Sequence, residues 1–130
     1  MVVQTELSDD ETDRLFQALA AATRRDILQR TIAEELSVSA LAAGYDISFA
    51  AVQKHVAVLE AAELIIKRAE GRERLVRANP EMIVRARALL ARYEDLWRAR
   101  ISRLDALLAE PARTATSTAT APPTGPTLLE

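Results

Sequence analysis

The chain has 130 residues, enough for one domain with one core, and its 49% hydrophobic and 28% charged residues are those of an ordinary soluble protein. It has no cysteine, which excludes disulfides, thiol chemistry and cysteine-ligated metal. No stretch nears the roughly 20 apolar residues of a membrane span, and Met1-Val2-Val3-Gln4-Thr5-Glu6 lacks the basic-then-apolar order of a signal peptide, so a cytoplasmic protein is the simplest reading.

Net charge is −2, but the charge is unevenly placed: residues 1 to 36 carry eight acids and four bases, whereas Lys67 to Arg77 hold five bases and two acids. A local basic patch suffices to contact phosphate when presented on one surface, while the near-neutral total argues against strong non-specific binding.

Residues 1–8 read as an arm. Ser8-Asp9-Asp10-Glu11 is a capping box, and Leu15, Phe16, Leu19 and Ala20 follow at helical spacing, which predicts a first helix over about 9–21. Thr23 is the expected cap of a second helix whose apolar side is Ile27, Leu28 and Ile32. Arg24 and Arg25 fall in its first turn, against the helix dipole, which suggests an outside partner such as phosphate.

Ser37 is placed to cap a third helix with Val38, Leu41 and Ala42 inward, and Gly44-Tyr45-Asp46 makes the next turn. Ser48 caps a fourth helix. At about 100° per residue, Val52, Val56 and Leu59 share one face, Phe49 and His55 flank it, and Ala50, Gln53, Lys54 and Ala57 lie opposite. Small outward residues let a helix approach a surface closely, and the major groove of DNA has the width to admit one. A basic hairpin over residues 64–77 follows, with Glu70-Gly71 as its expected two-residue turn. Helix, turn, helix and basic wing, in that order, make a device for reading DNA.

Asn79 and Pro80 start a long last helix. Ile83, Ala86, Leu90, Tyr93, Trp97, Ile101, Leu104 and Leu108 step by three or four along it, a seam too long for so small a domain to cover and suited to a second copy. Six arginines (85, 87, 92, 98, 100 and 103) lie off the seam, solvated or paired with Glu94, Asp95 and Asp105. Pro111 is the expected end of the helix. Residues 9–110 thus form the domain, and 111–130 a Pro/Thr/Ala tail expected to be disordered.

Four segments resemble the ArsR-type winged-helix repressors: Ala20-Ala21-Ala22-Thr23-Arg24-Arg25-Asp26-Ile27-Leu28, Leu36-Ser37-Val38-Ser39-Ala40-Leu41-Ala42, Val52-Gln53-Lys54-His55-Val56-Ala57-Val58-Leu59, and the Glu70-Gly71-Arg72 wing. The resemblance covers about residues 12–108. It implies a mainly α fold with a small β-hairpin wing and a homodimer paired through the first and last helices. It implies a recognition helix over residues 48–59 in the major groove of each half of an inverted repeat of double-stranded DNA. Members of the family usually repress transcription and release DNA on a metal or other signal.

Departures narrow this. Metal-sensing members carry Cys-Val-Cys where this chain has Ser37-Val38-Ser39, and hydroxyls are poor ligands for soft metals. The sole histidine is on the fourth helix, not paired with acids on the last one. The segment from Phe49 to His55 and the Trp97 region look most like a metal-free subgroup. No metal or cofactor is expected, and a small-molecule inducer is left open. Glu63 and Asp46 stand where the family often has glycine.

The DNA-binding candidates are therefore Ser48, Ala50, Ala51, Gln53, Lys54 and His55 on the recognition helix, Arg24 and Arg25 before it, and Arg68, Arg72 and Arg74 on the wing. Gln53 is suited to pair with adenine and Lys54 to reach guanine or phosphate; a solvated helix face is the plain alternative. His55 reads equally as a donor to DNA or as a packed, hydrogen-bonded ring. The wing arginines read as phosphate contacts or as hairpin solubility, with Arg72 and Arg74 pointing together. The dimer candidates are Leu15, Phe16 and Leu19 with Leu90, Tyr93, Trp97, Ile101, Leu104 and Leu108; Tyr93 and Trp97 also bear reading as the lining of a ligand cavity. No Ser/His/acid set, carboxylate pair or phosphate-cradling glycine loop appears, so enzyme activity has no support. The rival reading is a winged-helix module that binds protein rather than specific DNA.

Overall fold

This computed structural model describes the backbone of residues 6–120 and the side chains of residues 6–109. The elements are α1 (Asp9–Leu19), α2 (Ala22–Ala33), β1 (Leu36–Ser37), α3 (Val38–Ala43), α4 (Phe49–Ala61), β2 (Ile65–Glu70), β3 (Glu73–Ala78) and α5 (Pro80–Thr120). They divide into two compact units, with the boundary between Leu89 and Leu90.

The first unit is organised by its caps. Ser8 accepts from the Glu11 amide at 3.1 Å while the Glu11 carboxylate accepts from the Ser8 amide at 2.9 Å, the reciprocal box that the sequence predicts. Ser37 and Ser48 cap α3 and α4 by the single serine bond, accepting from the Ala40 and Ala51 amides at 3.0 and 3.1 Å. Asn79 caps α5 and also donates to the Glu63 carbonyl at 2.9 Å, fastening the end of the sheet to the end of α4.

Thr23 is not a cap. The N-cap of α2 is Ala21, with no side-chain hydrogen bond, because the α1–α2 junction is so tight that α2 begins at Ala22. The C-terminus of α4 closes in a Schellman arrangement. The Leu64 amide donates to the Leu59 carbonyl at 3.0 Å and the Glu63 amide to the Glu60 carbonyl at 2.9 Å, which puts Glu63 at φ 60°, a left-handed value where glycine is the usual residue. Leu59 and Leu64, at the two ends of the longer bond, are both core residues.

Those caps aim the apolar faces inward. Leu15, Ile27, Leu41, Val52, Val56, Leu59, Leu64, Ile65 and Val76 are fully buried, so α1 to α4 and the sheet share one core. Val52, Val56 and Leu59 are the inward face of α4, as their spacing predicts. Met82 and Leu89 bring the start of α5 into the same core.

The sheet has three antiparallel strands in the order β1-β3-β2. Glu70 pairs with Glu73, so the two turn residues are Gly71 and Arg72, one position beyond the expected Glu70-Gly71. Gly71 has φ 61° and Arg72 does not have positive φ, the pattern of a II′ turn, which wants glycine first. β1 has no signal in the sequence: two residues, Leu36 opposite Val76 and Ser37 opposite Leu75, are too few to show an alternating pattern.

The second unit begins within α5. The helix does not stop at Pro111 but continues to Thr120. Proline removes one ladder bond, yet its φ near −65° is itself helical, so the flanking turns carry the helix through. Of the disorder expected over 111–130, residues 111–120 are helical instead, and 121–130 lie outside the described residues. Leu90, Tyr93, Trp97, Ile101, Leu104 and Leu108 are all exposed, as are Leu96 and Leu107. Arg98 pairs with Glu94 at 2.8 Å, and Arg100 lies over the Trp97 ring at 5.7 Å. Arg85, in the first unit, departs from the expected pattern: it pairs with Glu11 at 3.2 Å and donates to the Glu6 carbonyl at 3.1 Å.

Candidate nucleic-acid interface

The outer face of α4 is built by subtraction. Once Val52, Val56 and Leu59 turn inward, Ala50, Gln53, Lys54 and Ala57 are left exposed together. Ser48 is exposed at the N-cap, and Ala51 is half-buried on the flank shared with His55. Gln53 and Phe49 also line a cleft whose opposite wall is the wing, through Lys67, Arg72 and Arg74. Arg72 and Arg74 therefore do face the same concavity, and neither makes an ion pair with the described residues. One flank of α4 and two wing cations without ion pairs among the described residues border one groove.

The other basic candidates are differently placed. Arg68 grips Glu35 with two bonds, at 3.0 and 2.9 Å, and lies 3.0 Å from Glu70. That bidentate hydrogen bond holds the Glu35 carboxyl below the ordinary glutamate range, with the charges of Arg68 and Arg77 adding to it, and raises Arg68 further. Arg68 thus ties the wing to the segment after α2 and, unlike Arg72 and Arg74, is already ion-paired within the chain. Lys67 is likewise tied, 3.4 Å from Glu60.

Arg24 and Arg25 have partners that the sequence does not reveal. Arg24 donates to the carbonyls of Ala18 at 2.8 Å and Gln17 at 2.9 Å, and Arg25 to the Leu19 carbonyl at 2.7 Å. The last turn of α1 has no basic residue of its own, and the arginines of α2 bond its terminal carbonyls, that of Gln17 in addition to its bond from the Ala20 amide. Their position against the dipole of α2 is their position at the negative end of α1. Arg24 also reaches His55, 3.2 Å from its Nδ1, and His55 is half-buried on the flank of the exposed face. Arg25 remains exposed.

The dimer candidates separate in the same way. Leu15 is 1% exposed and belongs to the core, so it has no surface to offer a partner; Leu19 is partly buried against that core. Phe16, 45% exposed, is the α1 candidate that stays outside. The turn before α4 contains one set of contacts with no sequence signal. Tyr45 donates to Asp26, and Arg30 lies 5.3 Å over the Tyr45 ring. Burial, followed by the hydrogen bond to Asp26, pushes the Tyr45 hydroxyl above its usual value. Among the described residues no group of three or more His, Cys, Asp or Glu side chains gathers as metal ligands would, and no helix is long and apolar enough to cross a membrane.

Three helices on a shared core, a short strand, a capped helix with a bare outer face and a hairpin beside it define a winged helix-turn-helix protein of the DNA-binding class. Residues 19–68 match the family model described as a helix-turn-helix domain. The HTH-type transcriptional regulator Rv2034 of Mycobacterium tuberculosis is 37% identical over 81 residues, which span 62% of this chain and 76% of that protein. A crystal structure of an ArsR family transcriptional regulator matches with a TM-score of 0.67 and 31% identity, over 72% of this chain and 96% of the other. A homodimeric winged helix-turn-helix DNA-binding domain from Mycobacterium bovis, fragment 1-100 of Mb0332, matches with a TM-score of 0.55 and 27% identity, over 73% and 91% of the two chains. The chain belongs to the ArsR family of winged helix-turn-helix transcriptional regulators. These are DNA-binding regulators and not enzymes.

Proposed function

We propose that this regulator is a dimeric, cytoplasmic repressor that does not sense metal and whose reading head is the outer face of α4. The observation that carries the reading head is the groove that Gln53 of α4 shares with Arg72, Glu73 and Arg74 of the wing, with exposed Lys54 beside Gln53 on the outer face of α4. Gln53 has the paired donor and acceptor that match adenine, Lys54 reaches guanine or phosphate, and Ala50 and Ala51 permit close approach or touch a thymine methyl. Ser48 offers the N-terminus of α4, and Arg25, Arg72 and Arg74 neutralise phosphates and fix register. Arg68, the wing arginine that the chain itself pairs, is left out of this role.

Dimerisation is supported by the exposed seam from Leu90 to Leu108, by exposed Phe16 on α1, and by the homodimeric state of the Mycobacterium bovis relative. Two copies of α4 then face successive major grooves of an inverted repeat about 34 Å apart. Metal independence is supported by a chain with no cysteine and one histidine, that one held by Arg24. An inducer, where one exists, is then a small molecule of another kind.

The test is fluorescence anisotropy on DNA from upstream of its own gene against scrambled DNA, at several salt concentrations, with and without added zinc. Tight, selective, salt-sensitive binding that zinc leaves unchanged is expected, and loss of selectivity on replacing Gln53 and Lys54 together by Ala. Normal operator binding by that double variant would remove the reading head from α4.

A further inference from the structure

His55 stands half-buried on the flank of α4, next to Lys54 in sequence, and its Nδ1 lies 3.2 Å from the Arg24 guanidinium. An arginine side chain has five N–H donors and no acceptor. The 3.2 Å contact between Arg24 and Nδ1 therefore has one chemical sense: Arg24 donates and Nδ1 accepts. A neutral ring in that state carries its proton on Nε2. The same guanidinium is anchored by two further bonds, to the Gln17 and Ala18 carbonyls at the end of α1, so its position is not adjustable by α4 alone.

We infer that Arg24 is a positioning residue for DNA reading: it fixes His55 as the Nε2–H tautomer, making the ring a directed donor to the DNA backbone beside the reading face, and it sets the distance of α4 from the end of α1. This rests on the reading of α4 as the DNA-facing helix. The direction of the Arg24–His55 bond does not rest on it. Two consequences distinguish this role from general support of the fold. The tautomer depends on a donor at position 24, so lysine keeps it and methionine loses it. The effect on DNA passes through the ring, so it vanishes when the ring is gone.

Because His55 is the chain's sole histidine, its tautomer is readable without assignment from a long-range 1H–15N correlation spectrum of the full, 15N-histidine-labelled protein. The expected wild-type spectrum is that of the Nε2–H form. Affinity is measured by anisotropy on a duplex that the wild-type chain selects from a random-sequence library. Arg24→Met is expected to give a tautomer mixture and about a tenfold loss of affinity, Arg24→Lys to restore the Nε2–H form and most of that loss, and Arg24→Met added to His55→Phe to cost nothing further. An Nδ1–H ring in the wild-type chain, or equal affinity in folded Arg24→Met, would overturn the inference while leaving the DNA-reading face intact. Failure of the wild-type chain to select any duplex would overturn the reading beneath it, whatever the tautomer.

Discussion

Single residues on this chain carry opposite consequences according to whether the backbone or the core constrains them. Glu63 sits at φ 60°, where a side chain costs about 1–2 kcal/mol relative to a right-handed conformation. The Schellman bonds around it hold the backbone there whatever the residue. Glu63→Gly is therefore expected to raise stability by about 1 kcal/mol, read as a higher urea midpoint with an unchanged m-value. Leu59, at the other end of that motif, is fully buried. Leu59→Ala should cost about 2–5 kcal/mol by the same measurement, because the truncated side chain leaves a cavity between α4 and the sheet. Glu63 is legible as an oddity from the family pattern. The roles of Arg24 and Arg68 are not: a charge in a sequence shows what it can pair with and not what lies opposite after folding.

At the scale of elements, legibility follows the length of the repeating pattern. The capping serines and the inward stripe of α4 are local signals, and the structure has them where the spacing places them. The two-residue strand β1 carries no period, and the hairpin turn lies one residue on because a single glycine serves either position of a two-residue loop and the strand register puts it first. The exposed face of α4 depends on its cap, so Ser48→Ala is expected to lower stability by about 1 kcal/mol and to weaken DNA binding as the first turn frays. A second prediction at this scale concerns acid. Glu11 is held below the ordinary glutamate range first by the Ser8 amide and then by Arg85, and Glu35 by Arg68. A carboxylate with a lowered folded value stabilises the protein above its unfolded value, about 4.3, and loses that contribution as pH falls through the folded one. Thermal midpoints should thus be flat from pH 7 to about 5 and fall below about 4.3, with a shallower fall in Glu11→Gln.

For the whole molecule, the exposed apolar seam of α5 and the bare groove beside α4 make separable demands. Replacing Trp97 and Leu104 together by Glu should convert a dimer to a monomer by analytical ultracentrifugation while the first unit, whose core ends at Leu89, keeps its cooperative unfolding. Operator affinity should fall steeply in that variant, since one half-site replaces two. Removing Arg72 or Arg74 should instead leave the dimer whole and make the dependence of log K on log salt less steep, by about one for each phosphate no longer neutralised. The seam is readable as a period of three and four, and its exposure agrees with the need for a second copy. The long reach of α5 past Pro111 is not readable, because a proline within a helix and a proline after one look alike in a sequence.

Ser37 belongs to two structures at once. It is the last residue of β1, paired in register with Leu75 of the wing, and it is the cap that starts α3. If the wing engages a flanking phosphate as proposed, a shift of β3 is expected to be passed through Ser37 to the start of α3, which packs against α4. Amide exchange would register this as slowed opening at Ala40 and Ala51 when the wing alone is engaged, for example by a short flanking duplex that lacks the half-site.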